Sequence, residues 1–108
     1  MGQKPWIDGT EDVDNRRKYS RSPFSDEISI RQKGRIMEGH GIDLSSGGIG
    51  FYTQTEPDRF SSMDIIVLRG AISIPGAMRR ASPANGEGYR ISVAFDAPQD
   101  EIYSVLAK

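Results

Sequence analysis

Arg17-Lys18-Tyr19-Ser20-Arg21 and the later run Asp43-Leu44-Ser45-Ser46-Gly47-Gly48 hold the residue types that recognise an anion and a purine edge. A guanidinium is a flat fork of donors that keeps its charge. It bonds bidentately to phosphate oxygens or to the O6/N7 edge of guanine, where Lys offers only a point charge. The even RxxxR spacing puts Arg17 and Arg21 on one side whether the segment is helical or extended. Asp43 and Ser45, two apart, leave a strand end on a common face as a carboxylate beside a hydroxyl. A carboxylate accepts from guanine N1–H and N2–H, which an arginine cannot do. Ser46-Gly47-Gly48 supplies a turn without Cβ bulk, where backbone N–H groups can approach a ligand or form an anion nest. The combined set suits a guanine nucleotide with phosphates.

Each half has an ordinary explanation when taken alone. The arginines could pair with Glu11, Asp12 and Asp14 in a solvated linker, where exposed pairs contribute little. Asp43 and Ser45 could bond their own backbone beside the glycines, as Asp and Ser do in turns.

The two motifs resemble the signatures of the PilZ domains that sense cyclic di-GMP, RxxxR near the domain start and D/N-x-S-x-x-G after it. The resemblance runs from about Asn15 to Phe95 and includes Ile49-Gly50-Phe51 and the strand Tyr89–Phe95. Either motif alone is common, but their order, separation and strand context are specific. The resemblance implies an all-β fold, a six-stranded antiparallel barrel followed by a C-terminal helix. It also implies a sensor or effector module that binds cyclic di-GMP, changes conformation and signals to a partner protein or fused domain. The ligand-binding residues it implies are Arg16, Arg17, Arg21, Asp43, Ser45 and Gly48. Arg16, just before RxxxR, leans toward an intercalated ligand pair over a single molecule. Bacterial motility, surface polysaccharide and biofilm control are the processes implied.

Two other readings compete with it. One is a PilZ-like protein-interaction module that binds no nucleotide, since fold does not fix function. The other is an RNA-binding barrel using the Arg16–Arg21 segment with Tyr19 and Phe24 as stacking groups. Fourteen Lys and Arg against fifteen Asp and Glu leave a net charge of −1, which argues against a nucleic acid polymer. The basic residues are concentrated locally in Arg16, Arg17, Lys18 and Arg21.

With 108 residues the chain is one domain of ordinary size, and its 36% apolar content supports one modest core. It has no cysteine, so thiol nucleophiles, disulfides and Cys zinc sites are excluded. Its one histidine, His40, stands in no metal or catalytic constellation and reads as a surface or strand residue, so no enzyme is expected. No run of 18 apolar residues occurs, and a cytoplasmic domain without membrane insertion is the expectation.

Residues 1–15 read as a flexible leader, with Trp6 and Ile7 as its apolar residues near the start, and 16–108 as the domain. Ser22-Pro23 ends the arginine segment, and the barrel occupies about 24–95. Strands are expected over Glu27–Arg31, Arg35 through Ile42, Ile49–Thr53, Asp64–Arg69, Ala71–Ala81 and Tyr89–Phe95, with a turn-rich loop at 82–88. Arg79 and Arg80 should point to opposite faces of their strand, where one could reach a ligand, although an exposed strand face is the plainer expectation. A helix over about 97–107 follows, with Ile102, Val105 and Leu106 as its apolar stripe. That stripe reads as packing against the barrel, with surplus surface available for a homodimer.

Overall fold

Period-two burial runs through the strands and explains why they close on one another. In β2 (Glu27–Gln32), Ile28, Ile30 and Gln32 are buried while Glu27 and Arg31 are exposed. In β5 (Met63–Val67), Met63, Ile65 and Val67 are buried, and in β7 (Tyr89–Phe95) Ile91, Val93 and Phe95 are. The computed structural model describes residues 21–84 and 88–106. Within them β1 (Ser22–Pro23), β3 (Arg35–Ser45), β4 (Gly48–Thr53) and β6 (Ile72–Pro83) complete the strands, and α1 (Asp100–Leu106) follows. The leader and the motif residues Arg16 and Arg17 lie outside the described residues.

The antiparallel order β3-β2-β5-β6-β7-β4 returns to β3 through a β3–β4 pairing, so six strands form the closed barrel expected from the sequence. Closure leaves the barrel no free edges. Ile30, Ile49, Phe51, Ile65 and Ile91 have no exposed surface and form the centre of the core. The seventh strand, β1, extends the sheet beyond the end of β2: Ser22 pairs with Leu44 and Pro23 with Asp43. Among the described residues, strand pairing therefore starts at Ser22.

Phe24 fastens this segment to the barrel. It is only 5% exposed, and its N–H donates to the Ile42 carbonyl at 3.0 Å. Its ring is core and cannot be a stacking group for RNA. At the other end of the barrel, the buried Gln32 amide holds the β4–β5 loop. Its Nε2 donates to the carbonyls of Asp58 and Ser61 at 2.8 and 3.0 Å, while Oε1 accepts from the Asp58 N–H. The Asp58 carboxylate pairs with Lys33, which together with the Phe60 N–H holds it below the usual carboxylate range.

Three sequence expectations fail for identifiable reasons. Leu68 and Arg69 adopt left-handed φ angles of 54° and 56°, so they form the β5–β6 turn and do not extend β5. Val105 is 57% exposed, and α1 instead packs Ile102, Tyr103 and Leu106 on the barrel. Arg79 and Arg80 do not alternate, because the β6–β7 register shifts between Met78 and Arg80 and leaves Arg79 as the extra residue of a bulge. Met78 and Ala81 keep their inward positions and both arginines are exposed.

Phe24→Ala is expected to cost about 3–5 kcal/mol, the range for emptying a buried aromatic site, measured by chemical denaturation. Asp58→Asn tests the loop clamp. A carboxyl whose folded pKa is depressed contributes stability above its unfolded pKa and loses it as pH falls through the folded one. The wild-type advantage in melting temperature over Asp58→Asn should hold at neutral pH and disappear below the ordinary carboxylate range.

Candidate ligand-binding site

Because neighbouring strands are in register, outward residues form rows across the barrel surface. One row runs Asp43–Gly50–Ser92–Arg80 over β3, β4, β7 and β6. The next runs Ser45–Gly48–Ala94–Ala77. Both have small residues in the middle, so the surface there is a shallow floor between side chains on β3 and side chains on β6. A cleft of about 780 Å³ lies on it, lined among others by Arg21, Asp43, Ser45, Arg79, Arg80 and Arg90.

Two glycines make this floor. A Cβ on Gly50 would stand 2.7 Å from Asp43 Oδ1, because the carboxylate lies directly over the glycine. A Cβ on Gly48 would run into the Val93 carbonyl oxygen, so the last motif glycine is required by its neighbour strand before any ligand is considered. Gly50 lies outside the motif; its place opposite Asp43 across the hairpin is a matter of register and could be found only once the turn was placed.

The β1–β3 pairing brings Arg21, the last residue of the first motif, to the second motif. Arg21 Nη1 donates to Asp43 Oδ1 at 2.8 Å, with the two side chains 30% and 27% exposed. Ser45 is buried at 5% exposure, and its hydroxyl accepts from the Gly47 N–H at 3.2 Å while facing the Gly48 carbonyl at 3.4 Å. That is the local turn bonding open to Ser from the outset. Ser45 and Gly48 both line the cleft. Of the six site residues inferred from sequence, Arg21, Asp43, Ser45 and Gly48 are thus gathered in one place. Arg79, Arg80 and Arg90 join them; the sequence allowed one of Arg79 and Arg80 to reach a ligand, with an exposed strand face as the plainer expectation, and assigned Arg90 no role.

His40 lies away from this row, over a second cleft of about 710 Å³ that includes Glu27, Glu38 and Tyr52. Its Nδ1 is 3.0 Å from Glu27 Oε2 and its Nε2 is 3.1 Å from Ser25 Oγ. The connectivity is that of a Ser-His-carboxylate relay, but the Glu27 side chain is 77% exposed. Water competes for every bond in it, whereas a working relay holds its carboxylate buried. Among the described residues no cluster of three or more His, Asp or Glu is arranged to hold a metal, and no helix is long and apolar enough to cross a membrane.

A closed antiparallel barrel with a glycine-floored outer cleft, rimmed by arginine and aspartate, defines a class of small closed β-barrel domains. The family model described as PilZ domain matches residues 15–107, and the chain belongs to that family. No curated protein matches the chain. Solved structures share the fold. The Bacillus subtilis inhibitor of motility MotI/DgrA aligns with a TM-score of 0.67 at 16% identity, over 84% of this chain and 47% of that one. The Borreliella burgdorferi PlzA protein in complex with c-di-GMP aligns at 0.64 and 19%, over 90% and 41%. The PilZ domain of Escherichia coli YcgR with c-di-GMP aligns at 0.59 and 20%, over 84% and 91%. The chain spans less than half the length of the first two.

The Arg21–Asp43 pair and Gly48 should separate cleanly in stability measurements. Arg21→Ala or Asp43→Ala is expected to change the unfolding free energy by no more than about 1 kcal/mol, as for other solvent-exposed pairs. Gly48→Ala, which forces β4 and β7 apart, should cost about 1–3 kcal/mol. Denaturant titration of the three variants checks both values.

Proposed function

We propose that this domain is a cyclic di-GMP receptor whose output is a ligand-induced change of surface, with no chemical turnover. The observation that carries the reading is the 2.8 Å bond between Arg21 of RxxxR and Asp43 of DxSxxG at the rim of a glycine-floored cleft. The last arginine of the first motif and the carboxylate of the second thus meet, which supports reading the two motifs as one site. PlzA and the YcgR domain, which share the fold, are complexes with c-di-GMP, and this supports the choice of ligand.

In this reading Arg21 takes a phosphate or a guanine O6/N7 edge, and Asp43 accepts from guanine N1–H and N2–H. Ser45 and Gly48 form the close backbone floor on which the ligand rests. Arg17, and Arg16 before it, which lie outside the described residues, add guanidinium contacts to the same ligand. β1 is already paired with β3, so ligand contact with both motifs acts on the segment before Arg21 and alters the face offered to a partner. The partner is a protein or a fused domain, and a receptor for an intracellular messenger works in the cytoplasm. Control of motility is consistent with the similarity to MotI/DgrA, an inhibitor of motility.

Isothermal titration of cyclic di-GMP into the wild-type domain and into Arg17→Ala/Arg21→Ala tests this, with GTP and cyclic di-AMP as controls. The expected result is saturable binding on the order of micromolar or tighter, guanine-selective and lost in the double variant. An absence of heat together with an unshifted melting temperature at high ligand would transfer the assignment to a nucleotide-independent interaction module.

A further inference from the structure

The β6 bulge places two adjacent arginines on the rim of the cleft opposite Arg21 and Asp43. An unbulged strand that kept Met78 inside would turn Arg79 outward and Arg80 into the core, at a prohibitive desolvation cost. The register shift removes that conflict and returns Ala81 to the inner face. It also sets Arg80 in the same outward row as Asp43, with only Gly50 and Ser92 between them. Three strand spacings separate the row's ends, about 14 Å. Arginine side chains reaching in from both sides can touch the two ends of one ligand lying on that floor.

The charge balance supports a ligand-holding role. Four arginines line the cleft, Arg21, Arg79, Arg80 and Arg90, against one acid, Asp43, an excess of three positive charges on a chain whose net charge is −1. Among the described residues Arg21 is the only one of the four in an ion pair, and its partner is Asp43. Like charges gathered on one surface repel each other, and a dianion relieves that repulsion.

We infer that Arg79 and Arg80 form a second anion-binding wall, holding a phosphate of the cyclic dinucleotide at the side of the cleft away from RxxxR. The inference rests on the receptor reading given above. Arg80, fixed in the row, makes the direct phosphate contact. Arg79, displaced by the bulge, approaches from beside it. A ligand with a single phosphate cannot satisfy both walls at once, so this wall contributes to selection of a two-phosphate ligand.

The test is titration of cyclic di-GMP into four proteins: wild type, Arg79→Gln/Arg80→Gln, Arg80→Lys, and Arg35→Ala. The last removes one charge from the β2–β3 hairpin, outside the cleft. The expected result is a tenfold or greater loss of affinity in the double variant and a smaller loss for Arg80→Lys, which keeps the charge but not the fork. Arg35→Ala should bind within twofold of wild type, and the melting temperatures of the free proteins should match because both cleft arginines are exposed. Binding by the double variant within twofold of wild type would overturn the second wall and leave the receptor reading standing. An equal loss in Arg35→Ala would also overturn it, by attributing the effect to overall charge. A wild-type protein that does not bind ends the receptor reading and this inference together.

Discussion

The tight connection between β3 and β4 is the constraint on which the rest of the structure depends. Ser45 pairs with Gly48, leaving only Ser46 and Gly47 to reverse the chain, and the register set there carries forward to Leu44–Ile49 and Asp43–Gly50. A slip of one residue would turn Leu44, Ile49 and Phe51 out of the core and Asp43 into it. The turn is held from outside as well. The Phe95 N–H donates to the Gly47 carbonyl and the Gln99 N–H to the Ser46 carbonyl, each at 2.8 Å. Barrel closure and cleft formation therefore have one cause: the pairing that seals β3 to β4 is also the one that lays the Asp43 carboxylate on Gly50.

The energetics of this site favour exchange over rigidity. An ion pair at roughly 30% exposure adds little to folding, so its partners can be taken by a ligand at little cost in stability. In the proposed receptor, a phosphate replacing Asp43 as the acceptor for Arg21 would give the guanidinium an equivalent bond and free the carboxylate for a donor edge. Each group is satisfied before and after. The glycines and small residues beneath do not have to move, because they are fixed by cross-strand contacts such as that of Gly48 with Val93. The polar rim is weakly coupled to folding while the floor is fixed by the sheet, an arrangement that suits the proposed ligand.

Much of this was legible in the sequence because it rests on periodicity and on side-chain chemistry that does not depend on tertiary context. Alternating Ile and Val residues identify the strands, and the Arg and Asp-x-Ser motifs identify the rim. What was not legible depends on register. Arg79 and Arg80 look like two faces of a strand until Met78 and Ala81 are both found to need the core, which is possible only with an extra residue between them. Phe24 looks exposed beside Pro23 until β1 adds to β3. Val105 fits a helical stripe as well as Tyr103 does, and only docking distinguishes them. Ser45 reads equally as a ligand donor or a turn residue, and its hydroxyl is engaged in the turn while its position borders the cleft.

The same contacts that hold the site also reach the C-terminal helix. Gln99, just before α1, is bonded to the β3–β4 turn, and Tyr103 OH is 2.6 Å from Ser22 Oγ, next to Arg21. In the proposed receptor, a shift of β1 on binding would carry Tyr103 with it or break that bond. The helix has no fully buried residue and is seven residues long, so its docking rests on the partial burial of Ile102, Tyr103 and Leu106. An element held this lightly moves at a small fraction of the cost of disturbing the barrel. Ser22 lies between the arginine of the cleft and the helix. Static hydrogen bonds thus connect the rim of the cleft, through Ser22, to the C-terminal helix, and in the proposed receptor they would carry a change at the cleft to that surface while the barrel serves as a fixed frame.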